Sequence, residues 1–191
     1  MDRWRRNAVL LSLIRALGEK GSWCGETHVQ KSVFFLQALS RADTGFDFIL
    51  YKHGPYSFDL HDELAAMRAD GFISFQIRTR GYGPSITLDA GAKALLDRFP
   101  NTVAQFTDRI DFIAGKVGGK KVVELERLAT ALLVAQTSTP KVDRHSMAKR
   151  IHDLKPHISE AEAVNDLRTV EEWRTEADKL FSDSHDQPQS H

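Results

Sequence analysis

The first 100 residues carry the feature that constrains the fold most, which is the order of their predicted helices and strands. Apolar residues recur there with the period of a helix or of a strand, and glycines and prolines separate the segments. This order is typical of a winged-helix domain, in which the hairpin forms a small β wing. The predicted segments are, in chain order, a helix at 3–17, a helix from Thr27 to Leu39, a strand at 46–51, a helix at 57–70, a hairpin at 72–77 and 85–88, and a helix from Asp89 to Phe99.

Local signals mark where two of these helices begin. Thr27 followed by Gln30 matches a capping box, so we expect the second helix to start at Thr27. Ser57 follows a break at Gly54-Pro55, and its side chain is expected to accept hydrogen bonds from the first free amides of the third helix.

The second helix is expected to form the core of the module, because it is apolar nearly all round. Val33, Phe34 and Leu36 are the predicted core residues. Lys31 and Gln37 are expected to lie on or beside this buried helix.

The second half of the chain is helical by pattern. Asp143 is expected to cap one of its helices, and Ser159 with Glu162 forms a second capping box that opens the last helix. The residues after 181 are polar and carry no apolar pattern. We therefore predict a mainly α protein of the α+β type, with a winged-helix module at 1–100, an all-helical region at 101–181 and a disordered tail at 182–191.

The composition excludes several classes of protein. Twenty-six basic residues balance 26 acidic ones, so the overall charge gives no attraction to nucleic acid or to a membrane. The single cysteine, Cys24, excludes an intramolecular disulfide and suits a reducing compartment. No apolar run approaches the roughly 20 residues of a membrane helix, and the N-terminus does not match a secretory signal. We therefore expect a cytoplasmic protein without a membrane partner.

The sequence lacks the common catalytic and metal-binding patterns. It contains no G-x-S-x-G, P-loop, G-x-G-x-x-G or H-E-x-x-H motif. His145 and His152 are seven residues apart, whereas metal-binding pairs on a helix prefer a spacing of four, and no cysteine is near them. We therefore expect no catalytic residue, no metal, no cofactor and no enzymatic activity.

The Gly54-Pro55 element forms a sharp corner between the predicted strand and the third helix. One interpretation makes this corner purely structural. The other makes it a recognition surface, in which aromatic rings supply contact area and a ring of carboxylates sets orientation and association rate. The candidate protein-contact residues are Tyr51, His53, Tyr56, Phe58, Asp59, Asp62 and Glu63.

DNA binding is the alternative that the winged-helix order suggests. The third helix reads DNA in many winged-helix regulators, but here it carries four acidic residues against Arg68 alone and is badly suited to a polyanion. Basic residues occur instead at the N-terminus and near the tip of the wing. The candidate DNA-contact residues are Arg3, Arg5, Arg6, Arg78, Arg80 and Tyr82.

Charge is distributed unevenly in the second half of the chain. Residues 116–155 carry nine basic and four acidic side chains, whereas residues 160–186 carry nine acidic and three basic ones. One interpretation is that the acidic helix packs beside the basic segment. The other is that one of these surfaces meets a charged partner.

The segment from Lys31 to Leu60 resembles a known family. It reads Lys31-x-x-Phe34-Phe35-Leu36-Gln37, followed by Phe48-x-x-Tyr51-Lys-His-Gly54-Pro55-Tyr56-Ser57-x-x-Leu60. This pattern resembles the YwgA-like proteins and is similar, more distantly, to the Panacea domain of SocA-type antitoxins. The resemblance covers about residues 5–100, and Glu124 to Thr130 also resembles the helix that follows this module in YwgA-like proteins. It implies a non-enzymatic regulatory role in toxin–antitoxin or phage-defence systems.

Two functions therefore stand as hypotheses. The first is a regulatory protein of the antitoxin or phage-defence type, which acts through contact with a toxin, with a defence component or with a second copy of itself as a homodimer. The second is a DNA-binding transcriptional regulator of the winged-helix class.

Overall fold

The structure, a computed structural model, describes residues 1–77, 83–139 and 142–181, so the tail predicted at 182–191 lies outside the described residues. Within these residues the chain is mainly helical, as predicted, with eight α-helices and two antiparallel sheets of two strands each. The helices are α1 (Arg3–Glu19), α2 (Glu26–Ser40), α3 (Phe58–Ala69), α4 (Ala90–Arg98), α5 (Pro100–Val117), α6 (Val122–Thr137), α7 (Arg144–Leu154) and α8 (Glu160–Phe181). The strands are β1 (Ile49–Tyr51), β2 (Gly54–Tyr56), β3 (Ile73–Gln76) and β4 (Ser85–Leu88).

Side-chain caps start several helices at the predicted residues. The hydroxyl of Ser57 accepts the amide N–H of Leu60 at 3.3 Å at the start of α3. Asp143 accepts two amides in the first turn of α7. Ser159 and Glu162 each accept the backbone N–H of the other, which confirms the capping box at the start of α8.

The start of α2 differs from the prediction. This helix begins at Glu26 after Gly25, and no side chain caps it, so the predicted capping box of Thr27 and Gln30 is wrong. Gln30 is fully buried, and its amide group bonds to the backbone of Ser57 instead. In a capping box the glutamine side chain would accept a hydrogen bond from the backbone at the start of its own helix. The side chain of Gln30 is instead bonded to the segment before α3, so it does not cap α2.

The predicted strand at 46–51 is shorter than expected. Only its last three residues form β1, which pairs antiparallel with β2. Residues 54–56, which form β2, were predicted to be a break after the strand, because Gly54 and Pro55 disfavour strands. Before β1, Gln37 takes the place of a partner strand, since its side chain both donates to and accepts from the backbone of Phe46. The strands β3 and β4 form the predicted hairpin.

The helix α2 lies at the centre of the core, as predicted. Eleven of its 15 residues are buried, among them Val33, Phe34 and Leu36. It packs against α1, α5, α6, α8 and β2, and Phe35 contacts Trp173 of α8 with ring centroids 5.6 Å apart. Residues before and after position 100 therefore share one buried cluster, and the division of the chain into regions 1–100 and 101–181 stays a prediction.

The acidic helix α8 packs beside the basic segment that precedes it. Arg127 of α6 pairs with Glu162 and places its Nε atom 3.1 Å from Asp166 Oδ2. Burial raises the pKa of Asp166, while the charge of Arg127 opposes this shift. Several opposite charges of the two segments thus pair with each other, which supports the first of the two interpretations. Two further pairs join Lys116 to Glu176 and Arg144 to Glu171.

Candidate functional site

Polar side chains of α2 hold the β1–β2 hairpin from its inner side. Gln30 Nε2 donates to Ser57 O at 2.9 Å, and Gln30 Oε1 accepts from Ser57 N at 3.0 Å. Lys31 Nζ donates to Pro55 O at 2.8 Å. Lys31 is 1% exposed, and this burial lowers its pKa to about 8 against the opposing charge of Glu126. These two adjacent buried polar residues of α2 therefore help to determine where the hairpin lies.

Gly54 allows the hairpin to lie directly against α6. Its φ of +82° falls in the left-handed region that favours glycine. A Cβ atom at this position would lie 2.9 Å from Thr130 Oγ1 and 3.2 Å from Glu126 O. A larger residue would therefore strain the backbone and also push the hairpin away from α6.

The turn of the hairpin is tied to the helical second half. Lys155, which follows α7, donates through Nζ to Tyr51 O at 2.8 Å and to Lys52 O at 2.5 Å. His53 Nδ1 lies 3.4 Å from Glu126 Oε1. The hairpin is thus attached to α2, α6 and the end of α7, so its outer side chains project from a supported element.

Aromatic rings meet on the outer side of this hairpin. The ring centroids of Tyr51 and Tyr56 are 5.6 Å apart, and Phe58 lies 5.5 Å from Tyr51 and 5.1 Å from Tyr56. Tyr51 is 51% exposed, Phe58 is 53% exposed and the neighbouring Ile49 is 52% exposed. We call these four residues the aromatic corner. Clustered apolar side chains this exposed mark a surface that gains free energy when a partner covers it.

Glu26, the first residue of α2, connects the aromatic corner with α3. Tyr56 Oη donates to Glu26 Oε1 at 3.1 Å, and His61 Nδ1 lies 2.7 Å from the same oxygen. Burial and the charge of Glu26 raise the pKa of Tyr56 to about 12, and the hydrogen bond to Glu26 raises the pKa of His61. The Tyr56 hydroxyl therefore stays protonated near neutral pH and acts as a donor. The sequence did not predict Glu26 or His61 as site residues, because no local pattern reports a contact across 35 residues.

The predicted ring of negative charge is only partly exposed. Asp59 and Asp62 are exposed on α3 and line a shallow depression of about 410 Å³. Glu63 differs from the expectation, because it is 9% exposed and faces α1. The docking of α1 buries this carboxylate, and the sequence of α3 alone does not report that contact. The side chains that donate hydrogen bonds to Glu63 are Arg3 at 2.8 Å, Arg6 at 3.1 Å and Asn7 at 2.9 Å.

The predicted DNA-contact residues of the N-terminus differ in whether their charge is already paired within the protein. Arg3 and Arg6 pair with Glu63, and Arg3 also pairs with Asp70 at 2.8 Å, so carboxylates within the protein offset their charge. Arg5 is exposed. The predicted DNA-contact residues near the tip of the wing, Arg78, Arg80 and Tyr82, lie outside the described residues.

No protein-family model matches the chain, and no curated protein sequence matches it. Within the ranges 1–77, 83–139 and 142–181, no helix is long and apolar enough to cross a membrane. In the same ranges no group of three or more His, Cys, Asp or Glu side chains is placed to hold a metal ion. Function is therefore inferred from surface geometry and from the sequence pattern.

Proposed function

We propose that the protein is a non-enzymatic regulatory protein that acts through protein–protein contact at the aromatic corner. The observation that carries this proposal is the set of partly exposed aromatic rings on the β1–β2 hairpin and at the start of α3, where neighbouring helices hold the hairpin in place. Side chains that are already ordered lose little freedom when a partner covers them, so the burial of their apolar area contributes more of its free energy to affinity.

A winged-helix module is the scaffold that we propose for this surface. The helices α1, α2 and α3 precede the antiparallel β3–β4 hairpin in the chain. In a winged-helix domain the wing hairpin follows the third helix in the same way. The motif shared with YwgA-like and Panacea proteins has a physical role here, because Lys31 bonds to Pro55 and Gln37 bonds to Phe46. The motif thus supports the segment that carries the aromatic corner, and the resemblance is the basis on which we propose a cytoplasmic antitoxin or phage-defence component.

The partner that fits this surface has apolar side chains bordered by basic ones. Asp59 and Asp62 are exposed in the first turns of α3, close in sequence to Phe58. Charges at the border of an interface mainly set orientation and association rate. A toxin or a defence component with a basic patch meets this description, and so does a basic surface on a second copy of this chain.

Affinity capture from the native host tests the proposal. The baits are the full chain, a Tyr51→Ala/Phe58→Ala double variant, and Val123→Ala as a matched control, because Val123 is 66% exposed on α6. We expect the wild type and the control to retain the same protein, and the double variant to lose it while it remains folded at the temperature of the assay. Sedimentation of the isolated chain separates a second copy from a different protein. Retention of every partner by the double variant would contradict the proposal.

A DNA-binding transcriptional regulator is the second candidate, and the β3–β4 hairpin is the feature that favours it. Arg78 and Arg80 stand in the sequence between these two strands. Replacing both arginines with glutamine should lower the slope of log affinity against log salt concentration by roughly 0.9 for each lost phosphate contact. Full sequence-specific binding with an unchanged slope would exclude the wing arginines as the DNA contact, and a wild-type chain without saturable DNA binding would remove this candidate.

A further inference from the structure

A cleft lies at the end of α2 that is remote from the aromatic corner. It has a volume of about 560 Å³ and is formed by the first residues of α1, the first residues of α5 and the chain just after α2. Because α2 has 15 residues, the cleft is about 21 Å from the Glu26 end of this helix. The lining includes Arg5, Arg41, Asp43, Asn101, Thr102 and Arg109.

The charged residues of the lining are predominantly basic. Arg5, Arg41 and Arg109 contribute three guanidinium groups, and Asp43 contributes a single carboxylate among the described lining residues. A guanidinium has five N–H donors, and exposed ion pairs are weak, so these groups retain donors for a ligand. Arg109 donates to Ser40 O and to Gln105 O, each at 3.2 Å. The exposed ion pairs of the other two arginines are Arg5 with Asp2 at 3.0 Å and Arg41 with Asp178 at 2.9 Å.

The first turn of α5 adds further donors to the same cleft. This helix begins at Pro100 and no side chain caps it, so the first-turn amides lack partners within the helix and carry the positive end of its dipole. Thr102 lies in this turn, lines the cleft and is 8% exposed. Its hydroxyl makes no hydrogen bond with any residue that the structure describes. The oxygen is not fully buried, so it can donate to a group that enters the cleft.

We propose that this cleft binds the phosphate or diphosphate group of a small molecule. Guanidinium groups and helix N-termini are features that proteins use repeatedly to bind phosphate, and the Thr102 hydroxyl is a third type of donor. The volume lies in the range of small-molecule sites. Thr102 lines the cleft and is mostly buried, so we expect a small anion to reach it more readily than the backbone of a DNA duplex.

Calorimetric titration of the full chain tests the proposal. The probes are orthophosphate, pyrophosphate, ADP and a short DNA duplex, all at constant ionic strength. We expect saturable binding of at least one of the three small phosphates to one site per chain, without displacement by the duplex. Absence of saturable binding for all three, or displacement of a bound phosphate by the duplex, would overturn the proposal.

Two arginine variants assign the binding to the cleft. Arg41 has a φ of +56°, where glycine is the favoured residue, so Arg41→Gly removes the charge and relieves the backbone. We expect Arg41→Gly and Arg109→Gln each to weaken binding by at least about tenfold, with Arg41→Gly melting at or above the wild-type temperature. Arg150→Gln is the control, because Arg150 is exposed on α7 outside the cleft, and it should leave affinity unchanged. Equal weakening by all three variants would show general charge attraction and overturn the assignment.

Discussion

The neighbouring helices α2 and α3 use their polar residues in opposite ways. Eleven of the 15 residues of α2 are buried, and Gln30 and Lys31 bond to the backbone of residues 55–57. By contrast, α3 buries four of its 12 residues and leaves Asp59 and Asp62 exposed. The buried contacts are therefore concentrated on α2, whereas exposed aromatic and acidic side chains lie at the start of α3. Substitutions in the two helices should consequently separate folding from binding.

The largest expected difference between the two helices is in core packing. Phe34 of α2 is buried and contacts the ring of Phe48 at 5.4 Å. Phe34→Ala should lower the free energy of unfolding by about 3–5 kcal/mol, because it removes buried apolar area and leaves a cavity. Phe58→Ala at the exposed start of α3 should cost about 1 kcal/mol or less. Denaturant titration measures both values, and a Phe34→Ala protein that unfolds together with the wild type would refute the core assignment.

The next effect is a pH dependence that arises from Lys31. Burial lowers the pKa of this side chain from 10.5 to about 8, so the folded chain binds fewer protons than the unfolded chain between these values. The free energy of unfolding should therefore rise by roughly 3 kcal/mol as the pH rises from about 8 to about 10.5. Below this window the cost of the buried charge is present in full.

Lys31→Met removes this titration and should flatten that part of the stability curve. Lys52→Met is the matched control, because Lys52 is exposed on the same hairpin that Lys31 supports. Urea unfolding on both sides of the window measures the difference. Parallel stability curves for the wild type and Lys31→Met would contradict the account.

A smaller effect comes from the close approach of the hairpin to α6. Gly54→Ala introduces a Cβ that would lie 2.9 Å from Thr130 Oγ1. Gly71 also has a positive φ, of +72°, but a Cβ there meets no atom within 4 Å, so Gly71→Ala carries the backbone strain alone. We expect Gly54→Ala to be less stable than Gly71→Ala by about 1–3 kcal/mol. Thermal unfolding measures the stability of both variants. Equal losses of stability in Gly54→Ala and Gly71→Ala would contradict the close contact between the hairpin and α6.

Local rules account for the parts of the fold that the sequence predicted. Ser57, Asp143 and the pair Ser159 and Glu162 act within one helical turn, so their capping is visible in the order of residues. The β3–β4 hairpin is equally local. The rings of the aromatic corner meet because β1, β2 and the start of α3 are close in sequence.

Distant contacts account for the parts that the sequence did not predict. Gln30 bonds to a residue 27 positions away, so its spacing from Thr27 suggested a cap that does not form. Glu63 meets Arg3 across 60 positions, and an acidic residue on a helix ordinarily faces solvent. The sequence did not predict β2, because glycine and proline disfavour strands. Gly54 is suited to this strand because the hairpin lies close against α6, which is distant in the sequence.

The smallest expected effect on stability comes from the exposed acids of α3. Asp62→Lys should change the free energy of unfolding by less than about 0.5 kcal/mol, and Asp59→Lys should lower it by about 1 kcal/mol or less, because Asp59 lies in the first turn of α3. Together they should slow association with a basic partner by about tenfold at low salt and weaken its salt dependence. Glu63→Lys is the contrasting variant, because Glu63 is buried beside Arg3 and Arg6, and its reversal should destabilise the fold. An unchanged association rate in the double variant would exclude these acids from the contact.

The dissociation rate of the captured partner from the Tyr51→Ala/Phe58→Ala protein tests the central claim most directly, provided that the melting temperature is measured on the same sample. Aromatic anchors at the centre of an interface mainly slow dissociation. The account predicts dissociation at least about tenfold faster than from the wild type, with a melting temperature lowered by no more than about 4 °C. Wild-type dissociation from a fully stable double variant would contradict the assignment of the aromatic corner as a protein contact.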